Sequence, residues 1–286
     1  MDRLLVATDF SPRSDRALRR ASLIARKVGA ALSLVHVVDG DWPDALIEPE
    51  RAAAADLLAA LATTIRESDG IETNWSIVVN DVHAGILAAA AELKSDLIMI
   101  GPHRSRLRDV FVGTTAERLV RQCTCPLLVA AGTPVGPYRT TLLALDFDEA
   151  SKSAGRAALD MGIFDHTHVV IMHAFDAPGE GMMKRSMEHP ATIERYVEEV
   201  SGAATKNLQA LLVELGLPPA ARNVVSMKGT PARTILESAR HAEADLIVLG
   251  TNQRKGFERV LVGSVTADVI RDAHRDVLII PVDEEF

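Results

Sequence analysis

Two carboxylates, two glycines and two glycine-hydroxyl pairs are the residues of this chain whose types and spacing could do chemistry. Asp9 and Asp146 each close an apolar run of strand length, in LLVATDF (4–10) and LLALDF (142–147). Gly101 and Gly250 each end another, in DLIMIG (96–101) and DLIVLG (245–250). Further on, Gly113-Thr114 and Gly263-Ser264 each open a helical pattern. Such a pair at a helix N-terminus suits a phosphate. The first amides are unpaired, the dipole favours an anion, no Cβ intrudes, and the hydroxyl adds a donor. A carboxylate across the cleft could accept hydrogen bonds from a ribose or an adenine amino group. Singly, each residue has a plainer reading, because glycine after a strand and Ser or Thr at a helix start are ordinary turn and cap chemistry. The recurrence of the whole set favours a ligand site.

The recurrence is a duplication. ILAAAAELKSDLIMIG (86–101) is answered by ILESARHAEADLIVLG (235–250), with seven of sixteen positions identical. GTTAERLVRQCTCPLLV (113–129) is answered by GSVTADVIRDAHRDVLII (263–280). Each copy carries a full set of strand and helix signals, so the 286 residues read as two copies of one domain of about 140 residues. The expected domains are 1–132 and 138–286, joined through the Gly- and Pro-rich GTPVGPY (132–138).

In the first copy, apolar runs predict strands at 3–8, 31–38, 73–80, 96–101 and 126–130. Helices are predicted from Ser11-Pro12 to Gly29, and over 48–68, 82–93 and 113–124. The second copy repeats this, with strands at 140–145, 167–174, 222–228, 245–249 and 277–281 and helices at 149–163, 190–215, 231–242 and 264–274. The fold class is α/β. Each repeated domain is doubly wound, with a five-stranded parallel sheet flanked by helices in a Rossmann-like or flavodoxin-like order. In such sheets ligands bind beyond the carboxyl ends of the strands at the switch point, which is where Asp9, Asp146, Gly101 and Gly250 fall. The last strands, 126–130 and 277–281, would expose apolar edges, so the halves are expected to pair through them about a pseudo-two-fold axis.

Composition narrows the function. A formal charge of −8 argues against general nucleic-acid binding, with HRSRLR (103–108) the one local exception. Aromatic residues make up 4% of the chain, too few for base-stacking platforms. The two cysteines, Cys123 and Cys125, are too close for an ordinary bridge, which fits a reducing compartment. MDRLLVATDFS lacks a signal-peptide pattern, and no apolar run reaches the roughly 20 residues of a membrane span. The expectation is a cytoplasmic protein with no membrane partner.

The whole chain resembles the universal stress protein family in its tandem form, most specifically in GSVTADVIRDA (263–273) and DVLIIPV (276–282). Nucleotide-binding members carry G-x2-G-x9-G-[S/T] after the fourth strand. This chain has Gly250-Thr-Asn-Gln253, nine residues, then Gly263-Ser264. The first copy has Gly101-Pro-His-Arg104, eight residues, then Gly113-Thr114. Both lack the second glycine, and the first is one residue short. The resemblance implies ATP or a related adenine nucleotide as ligand and leaves room for Mg2+ with it. The implied contacts are Asp146, Ala174, Gly250, Gly263, Ser264 and Val265 in the second half. In the first they are Asp9, Val37, Gly101, Gly113 and Thr114. A side chain where the second glycine belongs crowds a backbone cradle, although Arg104 could contribute its own charge to a phosphate. The second half is therefore expected to be the better site, weak but retained, and the first a degraded one.

No Walker lysine, G-x-S-x-G or H-E-x-x-H is present, so the leading expectation is a stress-response binding protein, not an enzyme, with slow ATP hydrolysis at most. The alternatives are an interaction protein with vestigial clefts and a small-molecule enzyme of related nucleotide-binding type. Cys123 and Cys125 read as structural before redox, and His36, His166, His168 and His173 as structural before zinc-binding. Residues 176–190 read as a solvated loop before a lid. An Ala- and Leu-rich helix around 52–62 motivates a homodimer.

Overall fold

A computed structural model describes residues 1–102, 114–217, 222–227, 229–253 and 264–283. The first half runs β1 (Arg3–Ala7), α1 (Pro12–Val28), β2 (Ala31–Asp39), α2 (Asp44–Asp69), β3 (Thr73–Asn80), α3 (Val82–Glu92), β4 (Leu97–Ile100), α4 (Thr115–Gln122) and β5 (Leu127–Val129). The second runs β6 (Thr140–Ala144), α5 (Glu149–Asp160), β7 (His168–Phe175), α6 (Pro178–Arg185), α7 (Pro190–Glu214), β8 (Arg222–Ser226), α8 (Pro231–His241), β9 (Leu246–Gln253), α9 (Ser264–Asp272) and β10 (Asp276–Asp283).

Local chemistry sets these bounds. The Ser11 hydroxyl accepts from the Ser14 amide at the start of α1, Pro12 occupies the first turn, and Gly29 closes the helix at φ 74°. Between the caps, Ala17, Leu18, Ala21, Ile24 and Ala25 form one buried stripe. Asp148 caps α5 in the same way, accepting from the Ser151 amide. In α2 Leu58, Ala62 and Ile65 pack into the core of their own half and Ala54 is buried one turn earlier, while Ala52, Ala53, Leu57 and Ala60 of the run around 52–62 stay exposed. Three elements differ from expectation. α2 begins at Asp44, ahead of Pro49. Residues 178–185, within the 176–190 stretch read as a solvated loop, form α6. Its first-turn Pro178 favours a helix start, and Gly179 lies where a Cβ would stand 2.8 Å from the Tyr196 ring. β9 continues past Gly250 to Gln253, because β10 runs alongside it to Asp283.

The ten strands form one sheet in the order β3-β2-β1-β4-β5-β10-β9-β6-β7-β8. Each half is parallel and has the Rossmann-like rather than the flavodoxin-like order. The halves meet where β5 and β10 pair antiparallel, Val129 opposite Val277 and Leu127 opposite Ile279. One apolar layer lies on each face and runs through both halves. Leu128 and Leu278 belong to the α1, α2, α5 and α7 side, and Leu127 and Ile279 to the α3, α4, α8 and α9 side. No helix among the described residues is long and apolar enough to cross a membrane.

A buried polar cluster ties the seam. Arg20 of α1 sets its Nε 2.7 Å from Asp276 Oδ2 at the start of β10, with both side chains almost wholly buried. The Tyr138 hydroxyl donates to the same oxygen at 2.7 Å, and the Gly132 amide donates to Oδ1 at 2.8 Å. Arg20 also donates to the Gly136 carbonyl at 2.7 Å and covers the Tyr138 ring at 4.2 Å. Burial, reinforced by the Asp276 charge, pushes the Tyr138 hydroxyl well above its ordinary pKa. Each charge has a partner, which is the condition for keeping it out of water.

Candidate functional site

The switch points lie between β1 and β4 and between β6 and β9. In the first half a cleft of about 240 Å³ opens there, lined by Asp9, Arg13, His36, Val37, Gly101 and Thr115 among others. Gly101 sits against the first turn of α1, where a Cβ would come within 2.6 Å of the Arg13 carbonyl oxygen. The glycine lets the helix N-terminus reach the strand end. Val37 is held by α3, since a Cβ on Gly85 would meet its Cγ1 at 2.7 Å.

Asp9 is engaged. Its Oδ1 accepts from the Ser11 amide at 3.0 Å, and Oδ2 faces Arg13 at 3.5 Å. Partial burial pushes its carboxyl up, but hydrogen bonds from Ser11 and Ser14 and the Arg13 charge outweigh this and leave it below the ordinary value. Phe10 follows in the left-handed region, φ 57°, a costly conformation for a residue with a Cβ. It is held by a hydrogen bond from its amide to Thr8 Oγ1 at 3.0 Å and by its ring, 4.7 Å from that of His36. The buried His36 has its Nδ1 2.8 Å from the Thr8 carbonyl. A carbonyl only accepts, so Nδ1 carries the proton.

The second half repeats this frame with different partners. His173 Nδ1 lies 3.1 Å from the Leu145 carbonyl, and its ring is 3.9 Å from that of Phe147. Asp146 is 74% exposed, accepts from the Phe147 amide at 2.9 Å and lies 3.8 Å from His173 Nδ1. Ala174 is half-buried beside it on β7. Gly250 lies within β9, opposite Ile280, rather than in a turn beyond the strand. Val265, in the first turn of α9, packs on the apolar layer.

The residues expected to meet a phosphate fall into two groups. Thr114 is the N-cap of α4, and its buried hydroxyl accepts from the Glu117 amide at 3.2 Å, so the plainer cap role is the one it fills. Ser264 begins α9. Gly113, Gly263, Arg104 and the loops 103–113 and 254–263 lie outside the described residues. Arg13 lines the first-half cleft and the Phe-His pairs stand beside the two carboxylates; the sequence singles out His36 and His173 as structural groups near the cleft, but not the phenylalanines or Arg13. The repeated Asp-Phe after each first strand and the matching histidines were the signal for the pairs.

Among the described residues no group of three His, Cys, Asp or Glu side chains is placed to hold a metal ion. Burial pushes the Cys123 and Cys125 thiols up to about 12 and about 11, so neither offers a thiolate near neutral pH.

The family model for universal stress proteins matches this chain twice, over residues 1–131 and 137–281. The chain belongs to the universal stress protein family. Its tandem form is shared by relatives aligned along almost their whole length. A universal stress protein of Mycolicibacterium smegmatis is 24% identical, with 97% of this chain and 96% of that protein covered. One of Mycobacterium tuberculosis is 26% identical, covering 93% and 94%. Universal stress protein E of Salmonella typhi is 22% identical, covering 98% and 94%. Among solved structures, a universal stress protein from Archaeoglobus fulgidus superposes over 98% of both chains with a TM-score of 0.70 and 20% identity. That likeness concerns the fold.

Proposed function

We propose that this universal stress protein is a cytoplasmic stress-response protein that works by binding an adenine nucleotide, ATP or a close relative, rather than by catalysis. The second-half cleft is the better site and the first-half cleft a degraded one. The observation that carries the ranking is the state of the two carboxylates. Asp146 has an oxygen left for a ribose or adenine donor, whereas both oxygens of Asp9, a 60% exposed side chain, already face a partner, Ser11 or Arg13. The loop spacing from Gly250 to Gly263 supports the same order. Mg2+ is usually bound through nucleotide phosphates plus one or two carboxylates, and Asp146 is the exposed carboxylate at hand.

A second reading, an interaction protein with vestigial clefts, draws on Gln253 and Arg104 at the glycine positions and on the capped Thr114 hydroxyl. Equilibrium dialysis of the purified protein against ATP, ADP and adenosine separates the two. Saturable binding of adenine compounds supports the nucleotide reading. No binding at millimolar ligand favours the interaction protein.

A further inference from the structure

The two outer edges of the ten-stranded sheet are β3 and β8, eight and five residues long. An open edge offers unpaired amides and carbonyls to any other strand, and proteins usually blunt it with lysine, proline, a bulge or inward charge. β3, Thr-Asn-Trp-Ser-Ile-Val-Val-Asn, has none of these. It contains no charged residue and no proline, and it pairs with β2 in unbroken register from Thr73 to Asn80. It also exposes large apolar side chains, with Trp75 40% and Val79 41% accessible.

Its backbone has a defined polarity. The carbonyls of Glu72 and Asn80 accept from Leu32 and Gly40 on the β2 side. Carbonyls alternate along a strand, so Thr73, Trp75, Ile77 and Val79 turn their N–H and C=O groups outward. The side chains of Trp75, Ile77 and Val79 share one face, the one covered by α2.

We propose that the β3 edge joins two copies of this chain, antiparallel, about a two-fold axis through Ile77. This register satisfies three conditions at once. Ile77 meets Ile77 of the second copy, and Trp75 meets Val79, all residues with outward N–H and C=O groups. Three hydrogen-bonded pairs exchange roughly six bonds. Trp75 lies across from Val79 twice, an aromatic–β-branched pair of the kind that stabilises sheets. Within the strand no charge faces a like charge. The contact is isologous, so it closes at two copies instead of propagating. The chain already makes one joint of this kind, between β5 and β10.

Sedimentation velocity at tens of micromolar, with disulfide mapping, tests the proposal. The unmodified chain is expected at twice its 30.8 kDa mass, and Trp75→Lys at the monomer mass with unchanged circular dichroism and melting temperature. Should Trp75→Lys fail to fold, cysteine placement decides. Ile77→Cys is expected to cross-link to its own mate under mild oxidation, because hydrogen-bonded pairs bring Cα atoms to about 5.5 Å, within disulfide reach. Asn74→Cys, far from its mate in this register, is expected not to. A monomeric unmodified chain, a dimer indifferent to Trp75→Lys, or cross-linking from Asn74→Cys as readily as from Ile77→Cys would overturn it. A heterologous peptide bound on β3 of a monomeric chain would overturn it as well.

Discussion

Asp9 and Asp146 leave equivalent strands, precede equivalent phenylalanines and belong to frames with equivalent histidines, yet they keep different partners. In the first half the Phe10 amide goes to Thr8 Oγ1, and Asp9 is left to Ser11 and Arg13. In the second half Leu145 stands where Thr8 was, so the Phe147 amide turns to Asp146 itself. The sequence places Ala150 where Arg13 stands, counting from the N-caps Ser11 and Asp148, so no cation at that position competes for the carboxylate. A duplicated backbone frame is therefore kept while the partners of its carboxylate change, with Arg13 facing Asp9 and alanine at the matching position in the second half.

The comparison is broken most severely at the seam, where the halves are unequal by construction. Asp276 serves Arg20, Tyr138 and Gly132, whereas the first half has Pro126 in its place. Asp276→Ala strands the buried Arg20 charge and is expected to cost about 3–5 kcal/mol, read from urea unfolding. A loss no larger than that of a surface substitution would remove the cluster from the account. Next is Gly101→Ala. Its Cβ would fall 2.6 Å from the Arg13 carbonyl oxygen, so the first turn of α1 must shift, at about 1–3 kcal/mol. The same measurement decides it, and an unchanged midpoint would show that the contact is slack.

Arg13→Ala sharpens the comparison by making the first cleft more like the second. Freeing Asp9 is expected to raise first-half affinity for ATP by about tenfold, the effect of losing one charge-assisted contact of about 1.4 kcal/mol. Calorimetric stoichiometry moving from one toward two per chain supports it, and no change argues against the Arg13 account.

The smallest effect is one the halves share. Asp96 accepts from the Asp2 and Arg3 amides, and Asp245 from the Arg139 and Thr140 amides. Partial burial raises both carboxyls, but these amides outweigh it and hold each below 3.8. Because the folded-state value is the lower one, their contribution is complete above the unfolded value and is lost as pH falls through the folded value. Urea midpoints are therefore expected to drop on acidification, and less so in the Asp96→Asn, Asp245→Asn double variant. Identical acid profiles would discount the two clamps.

What the sequence made legible was local or repeated. Ser11, Pro12 and Gly29 bound α1 as cap chemistry requires, and the two DLI runs marked the central strands. The switch-point rule located Asp9 and Asp146. What it concealed was relational. Arg20 and Asp276 are unremarkable until the fold brings α1 to β10. Arg13, in the first turn of a helix, reads as a solvated cation until Asp9 turns toward it. The continuation of β9 past Gly250 depends on β10 running beside it, and Gly179 reads as a loop residue until Tyr196 packs over α6.

Titration calorimetry with ATP on the unmodified chain, Asp146→Ala and Asp9→Ala tests the unequal clefts most directly. The expected result is one ATP per chain, an affinity at least about tenfold weaker in Asp146→Ala, equivalent to about 1.4 kcal/mol, and little change in Asp9→Ala. Two tight sites per chain, or equal losses from the two variants, would contradict the claim that the second half holds the working site.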